Sequence, residues 1–195
     1  MAERIYLAGK ISEEDWRRTI TTCIDTRYDE GLRSDTYDLF EFPWPTVEGA
    51  IFGEHSYTGP FFLNCDHGCG HGPNSHGSGI QSVTCFVDSP SSLKETYIQE
   101  LCLDAIRRST LVFAWIDSES AYGTLVEIGY AVGRGIPVYI SYPGDFEGVK
   151  DLWFARSMAT QCFQCVSPQV ALESLLHVLG YRTPRWQRIA GECDL

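Results

Sequence analysis

At 195 residues the chain is long enough for one well-buried domain, and its net charge of −11 disfavours a nucleic-acid polymer, which is held nonspecifically through Lys and Arg contacts to phosphate. Hydrophobic residues at 44% and charged residues at 21% exclude a disordered chain, and no apolar run approaches the roughly 20 residues of a membrane helix. The opening MAERIYLAGKISEEDW lacks the charged and apolar regions of a signal peptide, so a cytoplasmic protein is expected.

Arg4–Ala8 (RIYLA) reads as a first strand that closes on Gly9. A helix is expected from Ser12, with Trp16, Ile20, Cys23, Ile24 and Arg27 on its inner face and Gly31 as its stop. Tyr37–Phe42 (YDLFEF) is expected as a second strand. Residues 43–90 then break the pattern: eight glycines and five prolines leave no sustained period of 2 or 3.6. A stretch that long inside a compact domain is usually functional, and an ordered lid or subsite is expected there.

The alternation resumes with a capping box at Ser92 and Glu95 and an apolar stripe of Ile98, Leu101, Cys102, Ala105 and Ile106. Leu111–Ile116 (LVFAWI) is a continuous apolar run, as a parallel strand buried on both faces requires. A helix over Thr124–Arg134, a strand over Pro137–Ser141, a helix over Val149–Ala159, a strand over Gln161–Val166 and a helix over Pro168–Leu179 complete the reading. The fold class is α/β: a single domain over 1–195 around one doubly wound, mostly parallel five-stranded sheet, in flavodoxin-like or Rossmann-like order, with the insert at about 43–90.

In such sheets ligands bind off the carboxyl ends of the strands. Ala8 and Gly9 end the first strand there, Asp117 and Ser120 follow LVFAWI, and Gly123 and Thr124 open the next helix ahead of Glu127. A glycine lets a substrate approach the backbone, and free amides at a helix start hold sugar or phosphate oxygens. The positive end of the helix is expected to keep Glu127 ionised, as a nucleophile must be. Asp104 offers a second carboxyl group, so that the two could divide roles as paired carboxylates do in retaining glycosidases. Bland readings stand beside these: Thr124-x-x-Glu127 is also a capping box, Asp104 a solvated helix-edge charge, and Tyr6 a core tyrosine.

Eight cysteines are many for this length; reduced thiols or a metal site are expected rather than disulfides, because the core is large enough to stand without them. Cys65, His67, Cys69 and His71 form the densest cluster, with residue types suited to a structural zinc, although all four lie within seven residues. No cofactor is otherwise required by the motifs.

IYLAG near the start, DAIRRSTLVFAWID in the middle and GTLVEIGYAVGRGIPVYI after it resemble, in order and spacing, the nucleoside 2-deoxyribosyltransferase family. The resemblance implies cleavage of an N-glycosidic bond through a covalent glycosyl intermediate on Glu127, with Asp104 as the acid beside it and Tyr6 hydrogen-bonded to the pair. It implies a small-molecule nucleoside or nucleotide and a free base as partners, and a homo-oligomer with shared active sites. Ala121 stands where many members carry an aspartate that contacts the base, and where related monophosphate hydrolases carry a serine for phosphate. Ser120 and Asp117 are the nearest polar substitutes. Asp151-Leu152-Trp153 stands where the family has Asn-Leu-Met. Transfer to a second base, hydrolysis of a nucleoside 5′-monophosphate, a TIR-like NAD glycohydrolase and a non-catalytic nucleotide sensor all remain open.

Overall fold

The computed structural model describes residues 2–12, 15–21, 42–61, 95–181 and 193–194. Among them run seven strands: β1 (Arg4–Ala8), β2 (Val47–Ile51), β3 (His55–Gly59), β4 (Leu111–Trp115), β5 (Val138–Tyr142), β6 (Gln161–Cys165) and β7 (Cys193–Asp194). The helices are α1 (Glu95–Arg108), α2 (Tyr122–Gly133), α3 (Trp153–Met158) and α4 (Pro168–Val178). All seven strands form one sheet in the order β2-β3-β1-β4-β5-β6-β7. The five strands from β3 to β6 are parallel, and β2 and β7 pair antiparallel at the two edges.

Numbered along the chain by themselves, the parallel strands lie in the order 2-1-3-4-5, so progression across the sheet reverses between β1 and β4. Right-handed crossovers place α1, α2 and α3 on one face and the segment after β1, with α4, on the other. Contacts follow that division: α1 and α2 touch each other and β1, whereas α4 touches the short 3-10 helix Trp16–Thr19 together with β5 and β6. Ile5, Leu7, Val112, Phe113, Ala114 and Ile140 are buried completely or nearly so. Each large apolar side chain among them contributes about 1.5–3 kcal/mol by leaving water.

The sheet departs from the expected five strands at its β2–β3 edge. The second parallel strand is His55–Gly59, inside the stretch that showed no period; Tyr37–Phe42 lies outside the described residues except for Phe42, which sits in a bend. All five β3 residues are buried, and the side chains of His55, Tyr57 and Thr58 have internal partners. His55 Nδ1 accepts from the Glu3 N–H at 3.1 Å, the Tyr57 hydroxyl donates to the Pro60 carbonyl, and Thr58 shares a hydrogen bond with Ser109 at 2.7 Å. Satisfied in this way, a polar sequence can occupy a fully buried strand.

The segment after β1 is also corrected over its described part. It forms a single 3-10 turn at Trp16–Thr19, because Asp15 accepts the Arg17 N–H and ion-pairs with the Arg17 guanidinium, which turns that side chain into the core. The helix expected over Val149–Ala159 is split into a 3-10 turn, Glu147–Lys150, and α3. Cys165 is disulfide-bonded, which overturns the expectation of thiols or metal ligands alone, whereas Cys102 and Cys162 are free. Backbone register sets Cys193 opposite Cys165. Among the described residues no helix is long and apolar enough to cross a membrane.

Candidate active site

β1 and α2 bring Tyr6 and Glu127 together at the C-terminal side of the sheet, beside the reversal point. The Tyr6 hydroxyl donates to Glu127 Oε1 at 2.5 Å. Gly59 makes room for the phenol: a Cβ there would stand 3.1 Å from Tyr6 Cε2 and 3.2 Å from Ala105, at a φ of +149° that side chains avoid.

Helix α2 starts at Tyr122 with Ala121 as N-cap, and no side chain caps it. Thr124 is therefore a buried residue of the first turn and Glu127 belongs to the second, so the capping-box reading fails. The carboxylate instead turns inward onto Tyr6. Its position also overturns the expected pKa. The helix charge fades beyond the first turn. Burial dominates and lifts Glu127 to about 7, against the opposing pull of the Tyr6 hydrogen bond and the Arg17 charge. Tyr6, fully buried, is raised well above its ordinary value, chiefly by burial and then by Cys102 and Glu127.

A buried cation underlies the end of β1. Arg17 donates from Nε to the Leu7 carbonyl at 2.7 Å, from Nη2 to the Gly9 carbonyl at 2.6 Å, and from Nη1 to both Asp15 oxygens. Its guanidinium lies 4.6 Å from the centre of the Trp16 ring. A Cβ on Gly9 would meet the Trp115 carbonyl and Trp16 Nε1 at 3.0 Å, so a side chain there would have to push these neighbours back by a few tenths of an ångström. The Trp16 indole N–H and the Ser141 hydroxyl are buried with no hydrogen-bond partner among the described residues.

The remaining predicted positions form a rim. Ala8 is buried at the end of β1 and Gly9 follows it. Asp117 is exposed and accepts from Trp115 Nε1 at 3.1 Å. Ser120 accepts from Lys10 Nζ at 2.8 Å and pairs with Ser118, tying the β1 end to the β4–α2 loop. Gly123 is exposed, and a side chain there would meet open space. Asp151 is exposed at the end of the 3-10 turn Glu147–Lys150, and Gly148 in that turn packs against Glu119 of the β4–α2 loop.

Asp104 is not brought to Glu127. It binds Arg107 Nη2 at 3.1 Å and Arg108 Nε at 2.8 Å on its own helix, and Arg108 reaches on to Thr46. The α1 residue that faces the Tyr6–Glu127 pair is Cys102, two positions earlier and so on another side of the helix. Burial first, and then the Glu127 charge, push its thiol up to about 12, so it stays protonated. Sequence reasoning placed Cys102 in the apolar stripe, and nothing in the spacing separates a core thiol from one that meets a phenol. Asp15 and Arg17 were likewise missed; the acid–x–base spacing around a tryptophan carries no signal of a buried pair.

Cys65, His67, Cys69 and His71 lie outside the described residues, and among the described residues no cluster suited to a metal occurs. Comparison of the chain with protein-family models, curated proteins and solved structures finds no match.

Proposed function

We propose that the protein cleaves the N-glycosidic bond of a nucleoside or nucleotide, with Glu127 attacking the sugar carbon to form a covalent glycosyl-enzyme that a second base or water then resolves. One observation carries this reading. Glu127 is a carboxylate drawn inward at the ligand-binding side of the sheet, bonded to Tyr6 rather than to a helix end or a basic side chain. A carboxylate serving only stability would be expected to cap or to ion-pair. One kept at a pKa of about 7 is poised to ionise where a nucleophile must work.

Tyr6 supplies the second part of the reading. Its high pKa keeps the phenol protonated, so its O–H remains available to steady the Glu127 carboxylate and hold its oxygen on a fixed line of attack. The open backbone at Gly123 and the uncapped start of α2 provide N–H donors for sugar or phosphate oxygens, with Lys10, Ser118 and Ser120 on the rim. Asp104, held by two arginines, has no part in this version of the chemistry.

The test is Glu127→Gln, which keeps the shape and the hydrogen bond to Tyr6. Base release from a panel of deoxynucleosides, ribonucleosides and their monophosphates is expected to fall at least about a thousandfold, and a sugar adduct on Glu127 to appear by mass spectrometry of the unmodified protein. Undiminished turnover in the variant would sink the assignment. A homo-oligomer belongs to the same proposal. Tyr122 and Val126 on α2 and Trp153 and Phe154 on α3 are each more than 60% exposed, on helices that touch each other. Sedimentation as a monomer at tens of micromolar would remove that part.

A further inference from the structure

Strand β1 runs on past the end of one of its partners. Against β4 it is paired without interruption from Ile5 to Ala8, whereas against β3 the pairing ends where Tyr6 meets Gly59. Successive carbonyls along a strand point to opposite neighbours. The Glu3 carbonyl accepts from the Ser56 N–H on the β3 side and the Arg4 carbonyl from the Thr110 N–H on the β4 side. The alternation therefore turns the Leu7 carbonyl toward β3, beyond the last pair of that ladder. Arg17 supplies the donor there: its Nε donates to the Leu7 carbonyl at 2.7 Å and its Nη2 to the Gly9 carbonyl at 2.6 Å, two residues on. We propose that Arg17 is a positioning residue: its guanidinium stands in for the missing strand, fixes the end of β1, and so aims the Tyr6 hydroxyl at Glu127.

The clamp needs a guanidinium in particular. Nε and Nη2 lie along one edge of a rigid plane and Nη1 projects from another, so two carbonyls and a carboxylate are bound at once in fixed relative positions. Nη1 donates to both Asp15 oxygens, Asp15 also accepts the Arg17 N–H, and both side chains are fully buried. A lysine would keep the charge but lose the planar fork. Tyr6 is the residue before Leu7, so a hold on the Leu7 carbonyl limits how far the phenol can swing from the carboxylate it meets at 2.5 Å. The titratable and charged groups that bear on Glu127 are Tyr6 from β1, Cys102 from α1 and Arg17 from the 3-10 turn after β1.

The catalytic consequence rests on the role proposed for Glu127, but the positioning is also read without substrate. The measurements on the full chain are kcat and KM for base release and an NMR titration with ¹³C-labelled glutamate, with Glu127→Gln assigning the resonance. In the wild type Glu127 is expected to titrate near 7. Arg17→Lys retains the charge, so a midpoint raised by about half a unit reports a weakened bond from Tyr6 to the ionised carboxylate. The same variant should lose about tenfold to a hundredfold in kcat, with KM within about threefold. Ile20→Ala takes buried packing from the end of the same turn and leaves the clamp alone; its midpoint should not move and its kcat should stay within about twofold. If Arg17→Lys does not fold, the double variant Asp15→Asn with Arg17→Gln leaves no unpaired buried charge, and the same shifts are expected of it.

Far-UV circular dichroism shows which of the two Arg17 variants is folded and is to be read. An unmoved midpoint in that variant overturns the proposal, as does an unchanged kcat while Glu127→Gln is inactive. An equal effect of Ile20→Ala also overturns it, since Arg17 would then be ordinary support for the turn. Undiminished base release in Glu127→Gln would refute the nucleophile and leave the titration result standing, so the two failures are distinguishable.

Discussion

The two ends of the parallel strands are built on opposite principles. At the N-terminal end polar groups are bound to one another. The Glu3 carboxylate accepts from the Tyr181 hydroxyl at 2.5 Å and from the Thr110 hydroxyl, the Arg4 N–H donates to Thr110 Oγ1 at 2.9 Å, and Arg4 Nε donates to the Arg108 carbonyl at 2.6 Å. His55 packs edge-on against Tyr181, and burial lowers its pKa, which keeps it a neutral acceptor for the Glu3 N–H. At the C-terminal end a buried carboxylate is held at a raised pKa, a helix start has no side-chain cap, and buried donors in Trp16 and Ser141 have no partner among the described residues. The N-terminal end is mostly bound to itself, with Arg108 Nη2 its one buried donor without a partner among the described residues, whereas the C-terminal end adds a raised carboxylate and an uncapped helix start to two such groups. Sites built for chemistry commonly give up stability in this way.

The comparison breaks first if the stitched end proves catalytic. Glu3→Ala leaves the Tyr181 and Thr110 hydroxyls without their carboxylate partner, and at this half-buried site the two bonds together are worth about 1.5–3 kcal/mol, below the sum for two fully buried ones. The variant should lose about 1.5–3 kcal/mol in urea unfolding, while base release per folded molecule changes less than about twofold. A large fall in kcat with unchanged stability would show that the two ends are not separated as described.

The reverse effect is expected at Glu127. The group titrates at about 7 when folded against an ordinary 4.5, so the unfolded chain ionises first. Below about 4.5 both states are protonated and the group contributes nothing. As pH rises from there through 7 stability is progressively lost, and above 7 the full penalty is present. Glu127→Gln removes that penalty. Since part of the side chain reaches solvent, the gain is discounted to the order of 1–2 kcal/mol at pH 8, shrinking toward zero near pH 4.5. Melting temperatures across that range measure it. An inactive variant that is no more stable at pH 8 than the wild type would mean that the carboxylate is not strained by burial.

How much of this was legible differs by element. Strands β1, β4 and β5 announce themselves as apolar runs because parallel strands are buried on both faces. The β2–β3 hairpin does not. Its turn places Phe52 at φ 51° and Gly53 at φ 78°, a geometry that Asn-Gly or Asp-Gly would have signalled, and β3 hides His55, Tyr57 and Thr58 behind internal hydrogen bonds. Tyr6 and Glu127 are paired in the sequence only through the family resemblance, which implies their hydrogen bond; by themselves they read as a core tyrosine and a capping glutamate. Cys102 and Arg17 carry no such signal, since their partners are set by the packing of α1 and of the turn after β1 and by no spacing along the chain.

Asp104 is the finest test of the division between the ends, because it is the residue on which resemblance and geometry part. In the family reading it is the acid beside the nucleophile. In the structure it lies on the side of α1 that carries Arg107 and Arg108, 15% exposed, and Arg108 continues to Thr46 near β2. Its two ion pairs are of the i,i+3 and i,i+4 kind, each worth about 0.3–0.5 kcal/mol. Asp104→Asn keeps the shape and one hydrogen-bond acceptor, so stability should fall by less than about 1 kcal/mol, and less in high salt. Base release should change less than about threefold, with no displacement of the acid limb, because the group neither touches Glu127 nor shifts it. A hundredfold loss with an altered pH profile would instead mean that α1 turns on substrate binding and brings Asp104 to the leaving base, and the site drawn around Cys102, Tyr6 and Glu127 would then be its resting form.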